Sequence, residues 1–245
     1  MDNFAIRCEG LSKQYGDVNA LQPLDLTVPH GAIFGFLGRN GAGKTTTIRL
    51  LTGLAVPSSG RAWVAGVETT TADSAARASF GYLPQEPAFY GWMNATEYLD
   101  YVGKLCQLDK PTRQRRIDEM LTLVKLTDAA KRPIRGFSGG MMQRLGIAQA
   151  LLHEPDILIM DEWLSTGDEH FRDKANRRLA EMVDETNILV LASHSRDLIA
   201  VNCSRVIWLE HGKVIMDGPS ADVLAAYFDP PHRPPEPATA NAGDG

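Results

Sequence analysis

The sequence predicts an α/β fold, and three observations carry that expectation. Short apolar runs of strand length alternate with longer stretches at helical spacing. One such run, residues 33–37, leads straight into a glycine-rich loop that opens a helix. Another, residues 157–160, is apolar throughout and ends in two carboxylates, as expected of a buried parallel strand.

The elements follow in order. Residues 4–7 and 24–28 read as early strands, and 33–37 as a buried one. A helix over 45–54 stops at the turn cluster Leu54-Ala55-Val56-Pro57-Ser58-Ser59-Gly60. Residues 61–67 and 79–83 are again strand-like. The stretch 94–130 is helical and broken at Lys110-Pro111, with Ile117, Met120, Leu121 and Val124 on one face. Ser138 is a good N-cap for the helix that follows it. Residues 168–183 read as an amphipathic helix with Phe171, Ala175, Leu179 and Met182 on its apolar side, and 188–192 as a buried strand. Residues 206–209 and 214–216 predict a closing hairpin around His211-Gly212. The last stretch, 229–245, is rich in Pro, Ala and Gly and is expected to be a disordered tail.

Composition narrows the function classes. The chain has 245 residues, 44% hydrophobic, enough for a real core. The net charge of −5 gives no basic surplus, so no nucleic-acid partner is expected. Cys8, Cys106 and Cys203 are far apart, with neither zinc-site spacing nor a disulfide framework, which fits a reducing compartment. The opening residues show no secretory leader, and no apolar run reaches the roughly 18–20 residues that span a bilayer. If the protein works at a membrane, another chain must hold it there.

The strongest chemical signal is Gly38-Arg39-Asn40-Gly41-Ala42-Gly43-Lys44-Thr45. Glycines let the backbone curl until several N–H groups face one anion, and the helix behind adds its N-terminal partial charge. Lys44 can reach β- and γ-phosphates, and the Thr45 hydroxyl can ligate Mg²⁺. At the end of an apolar strand, Asp161 suits a Mg²⁺ ligand and Glu162 a general base that polarises the attacking water. Ser138-Gly139-Gly140 exposes backbone N–H groups at a helix start, a second place for a phosphate.

These motifs, in this order, resemble the nucleotide-binding domain of ATP-binding cassette (ABC) proteins over about residues 4–228. The resemblance implies a P-loop NTPase of the ABC type, with a mixed core sheet flanked by helices and an antiparallel β subdomain. It also implies a helical subdomain at about 90–153, all within one ATPase domain of residues 1–228. ATP and Mg²⁺ are the implied cofactors. Nucleotide contacts are implied for Gly38, Arg39, Asn40, Gly41, Ala42, Gly43, Lys44, Thr45 and Thr46. Tyr15 stands where the family often stacks adenine, and Gln85 matches the glutamine that senses Mg²⁺ and contacts the membrane partner. Ser138, Gly139 and Gly140 match the family signature, and Asp168 falls where the aspartate of the loop after the catalytic glutamate belongs. Catalysis is assigned to Glu162, Lys44 and His194, the last near the γ-phosphate, and Mg²⁺ to Thr45, Gln85 and Asp161.

The family works as a head-to-tail dimer, so the resemblance implies a second copy of the chain or a paralogue. It further implies a separate membrane-spanning permease at the cytoplasmic face of the cell membrane. The sequence departs from the common pattern at Met141, Arg39 and Trp163, and in Ser165-Thr166-Gly167-Asp168. Residues 36–53, 81–89 and 138–152 resemble drug and antibiotic exporters. Residues 161–168, 193–195 and 208–213 resemble polysaccharide exporters. An exporter subunit is the expected function; the alternative is a soluble, non-transport ABC ATPase, for example in cluster assembly. Phe89, Tyr90 and Trp92 either form a groove for a helix of the permease or pack inside the helical subdomain.

Overall fold

Strand alternation decides which layer each side chain joins. In the computed structural model, which describes residues 4–31, 33–70, 80–155, 157–161 and 188–229, the central sheet has six strands. They are β3 (Ile33–Leu37), β6 (Phe80–Leu83), β7 (Ile157–Asp161), β8 (Ile188–Ser193), β9 (Arg205–Glu210) and β10 (Lys213–Pro219). Their order is β10-β9-β3-β8-β7-β6, all parallel except β10 against β9. A second, antiparallel sheet runs β2-β1-β4-β5, from β1 (Phe4–Tyr15), β2 (Val18–Pro29), β4 (Ser59–Val64) and β5 (Val67–Glu68).

Odd and even positions of the central strands face different cores. Phe34, Phe36, Ile157, Ile159, Val190 and Ala192 share one core with the antiparallel sheet and with α1 (Lys44–Leu51). Leu37, Leu158, Met160, Leu191 and Val206 share the other with α2 (Ala95–Leu105), α3 (Lys110–Leu123), α4 (Gly139–Leu151), α5 (Arg196–Asn202) and α6 (Ser220–Phe228). Asp161 continues the alternation of Ile157 and Ile159, so it falls on the α1 side.

Several boundaries differ from expectation for local reasons. The first helix ends at Leu51, not 54. The Leu54 N–H donates to the Arg49 carbonyl (2.8 Å) and the Gly53 N–H to the Leu50 carbonyl (3.2 Å), with Gly53 at φ +65°: a Schellman stop. The early strands lengthen into a twelve-residue pair, since β1 lies between β2 and β4 and each extra residue gains ladder bonds. The break at Lys110-Pro111 is the start of α3. Asp109 caps it, and Pro111 occupies the first turn, where no N–H is needed. Asn94 and Glu97 form a capping box on α2. Helices α5 and α6 are additions that sequence patterning did not mark. The expected helix over 168–183, the strand start at Ser79 and the tail from 230 lie outside the described residues.

Arg116 ties the helical layer together. Only 8% of its side chain is exposed, and its guanidinium donates to the Leu151 and Leu152 carbonyls at 2.7 and 3.1 Å. It thereby satisfies orphan acceptors at the C-terminal end of α4.

Candidate functional site

In a parallel sheet every strand ends at the same edge, where ligands of α/β proteins bind. The register shows which ends are neighbours. Leu37 pairs with Ser193 and Asp161 with Ala192, while Leu83 pairs with Met160. Gly38 and His194 directly follow these pairs, and Gln85 comes two residues after Leu83. The phosphate loop, Asp161, His194 and Gln85 therefore share one edge, although more than 150 residues separate Gly38 from His194 in sequence.

The loop is built from both sides. Gly43 is the N-cap of α1 at φ +107°, and no side-chain hydrogen bond caps that helix start, the kind of helix N-terminus that suits an anion. The Lys44 side chain is buried and donates to the Gly38 and Arg39 carbonyls at 2.7 and 3.1 Å. Arg39, Asn40 and Gly41 are exposed at the crest, while Ala42 and Gly43 are buried and Thr45 and Thr46 half-buried. A support missed by sequence reasoning lies beneath. The Gly212 N–H donates to the Ala42 carbonyl (2.9 Å), and the Gly212 carbonyl accepts from the Gln22 N–H (2.7 Å). The hairpin around His211-Gly212 thus holds the loop against β2. The paired positions of His211 and Gly212 at positive φ are the signal of that turn.

The Thr45 hydroxyl donates to Asp161 Oδ1 at 3.2 Å, and Asp161 is 1% exposed. Two hard oxygen donors thus converge beside the loop, a donor set that suits Mg²⁺. Burial first, and then the Asp161 charge, push the neighbouring Tyr82 phenol up to about 12, so it stays neutral. Burial also pushes the Cys8 and Cys203 thiols up to about 12, which excludes them as thiolate nucleophiles.

Tyr15 ends β1 with its ring 48% exposed. Lys13 Nζ lies 4.7 Å from the ring centroid and donates to the Val56 carbonyl at 2.7 Å. One face of the ring is therefore covered by a cation. Lys13 was legible only as the i−2 neighbour on the same strand face. Gln85 and His194 are both exposed. Glu162 and Asp168 lie outside the described residues.

The signature residues stand apart, at the start of α4. Ser138 Oγ accepts from the Met141 N–H at 3.3 Å. Ser138 and Gly139 are exposed, and a Cβ added to Gly139 or Gly140 would meet nothing within 4 Å. Packing among the described residues thus gives no reason for two helix-weakening glycines there. The aromatic alternatives divide. Phe89 is partly buried and meets Tyr98 edge-on at 5.1 Å. Tyr90 and Trp92 are 49% and 71% exposed, 6.0 Å apart, with Tyr101 5.8 Å from Tyr90.

Among the described residues no helix is long and apolar enough to cross a membrane. A family model described as ABC transporter matches residues 21–165. An uncharacterized ABC transporter ATP-binding protein, YxlF of Bacillus subtilis, is 40% identical over 210 residues, covering 86% of this chain and 69% of its own length. The bacitracin transport ATP-binding protein BcrA of Bacillus licheniformis is 36% identical, covering 87% of this chain and 69% of its own. A solved ATP binding subunit of an ABC transporter superposes with a TM-score of 0.83 at 26% identity, over 91% of this chain and 93% of that one.

Proposed function

The chain belongs to the ABC transporter ATP-binding family, and on that premise we propose that it binds and hydrolyses ATP to drive export through a separate membrane-spanning permease. The observation that carries the nucleotide chemistry is the convergence of Lys44, Thr45 and buried Asp161 at one sheet edge. Lys44 rests on carbonyls of its own loop, from which it can turn to the β- and γ-phosphates. Thr45 and Asp161, with Gln85, are the residues to hold Mg²⁺, which when bound neutralises phosphate charge. Glu162 orients and deprotonates the attacking water. His194 leaves β8 next to Gly38 and contacts the terminal phosphate.

The unconstrained glycines at Gly139 and Gly140 favour a second protomer. Their open surroundings leave room for a phosphate to approach the α4 N–H groups. A second copy, or a paralogue, supplies that phosphate, and each ATP lies between one protomer's loop and the other's α4. Closure on ATP and opening after hydrolysis move the permease, which docks at Tyr90, Trp92 and Tyr101. The protein then sits at the cytoplasmic face of the membrane, held by its permease. The transport names of relatives such as BcrA favour this reading over a soluble, non-transport ATPase.

Lys44→Ala tests the site. The variant is expected to lose nucleotide affinity by calorimetry, because the phosphates lose their point charge. Unchanged binding would remove the nucleotide site from this loop.

A further inference from the structure

His194 is joined to the phosphate loop a second time, by a route through helix α6. Helix α5 begins at Arg196, two residues after His194. The Arg196 guanidinium lies 2.8 Å from Asp229 Oδ2 and 5.7 Å from the Phe228 ring centroid. Phe228 meets Tyr227 edge-on at 4.8 Å, and Tyr227 meets Trp208 edge-on at 5.2 Å. Trp208 pairs with Leu37, the residue before Gly38. Contacts therefore run from the start of the phosphate loop, through β9 and the end of α6, back to the segment that presents His194.

The clasp contributes little to stability. The Arg196 and Asp229 side chains are 51% and 58% exposed, and pairs this open to water add little to the fold's stability. Its effect is on orientation. Helix α5 has seven residues and no side-chain cap, too short to hold its own first turn firmly. A cation held by both a carboxylate and a ring face fixes that turn.

We propose that Arg196 is a positioning residue for His194: by clasping Phe228 and Asp229 it sets the direction in which His194 leaves β8 toward the nucleotide's terminal phosphate. The proposal rests on the reading of His194 as a phosphate contact. It is tested on the full chain with MgATP, measuring phosphate release, KM for ATP and thermal midpoint. The variants are Arg196→Ala, Arg196→Lys, His194→Ala and the double Arg196→Ala/His194→Ala.

Arg196→Ala should lower kcat by about two- to fivefold, the most that a weak exposed clasp can bias an orientation. KM and midpoint should stay at wild-type values. Arg196→Lys should recover about half of the lost rate or more, since an ammonium still faces the carboxylate and ring. In the His194→Ala background, removing Arg196 should cost nothing further. An unchanged kcat in Arg196→Ala overturns the proposal. So does a parallel fall in kcat, ATP affinity and midpoint, or a further loss in the double variant. Full turnover in His194→Ala alone overturns the reading of His194 and the proposal with it, an outcome distinct from the others.

Discussion

Replacing Gly43 by alanine puts a methyl group where backbone already stands. The new Cβ would lie 2.7 Å from the Ala20 carbonyl oxygen and 3.3 Å from the Gly212 Cα. Gly212 is pinned on both sides, to Ala42 and to Gln22, so it yields at a cost. Gly43 also holds φ +107°, a conformation that costs an L-residue about 1–3 kcal/mol. Overpacking adds a further ~1–3 kcal/mol. Gly41 is the control. Its φ is +82°, yet an added Cβ meets nothing within 4 Å. Gly41→Ala therefore bears the backbone cost alone. The two variants should differ by about 2 kcal/mol, equivalent to about 4–8 °C in Tm for a chain of this size. Thermal unfolding of the nucleotide-free protein by circular dichroism measures the difference. Equal melting of the two would refute the argument that β2 and the 211–212 hairpin together press the loop into shape.

Other expectations concern the catalytic edge, the helical layer and pH. Glu162→Gln should still bind ATP but hydrolyse it at least roughly a hundredfold more slowly; phosphate release at the wild-type rate would end its role as base. Phe89→Ala should lower stability by about 2 kcal/mol, as a partly buried ring against Tyr98. Trp92→Ala should stay within about 0.5 kcal/mol of wild type yet weaken co-purification with the permease. The reverse ranking in denaturant titrations would mean that Trp92 is the packing residue. Hydrogen bonds from Lys104 and then Arg113 hold the Asp100 carboxyl below its usual 3.8. A lowered carboxylate stabilises the fold above 3.8, and that contribution is lost as pH falls through the folded value. The Tm gap between wild type and Asp100→Asn should therefore shrink from about pH 6 to about pH 3. A constant gap would assign Asp100 a role independent of its charge.

The phosphate loop was legible because its requirements are local. A loop that turns N–H groups onto one anion needs glycines and a helix start within eight residues, and the sequence carries both. The buried strand 157–161 was legible from its unbroken apolar run, and the start of α4 from Ser138 as its cap, whereas the caps Asn94 on α2 and Asp109 on α3 emerged only from the structure. Family resemblance, rather than spacing, singled out Gln85 and His194, since a lone glutamine or histidine after a strand carries no signature of its own.

Other features depended on which distant elements become neighbours. The order β10-β9-β3-β8-β7-β6 is not the chain order, so the meeting of Gly38, Asp161 and His194 at one edge is a property of the whole sheet. Gly212 beneath Ala42 and Arg196 against Phe228 are contacts across elements that no local pattern specifies. The aromatic run also needed tertiary packing to divide, with Phe89 turned inward to Tyr98 and Trp92 left in the open. Sequence alone determined the local chemistry of a phosphate cradle, because backbone conformation over a few residues is set by those residues. Tertiary structure decided what stands around the cradle, because burial and strand pairing act on the whole chain at once.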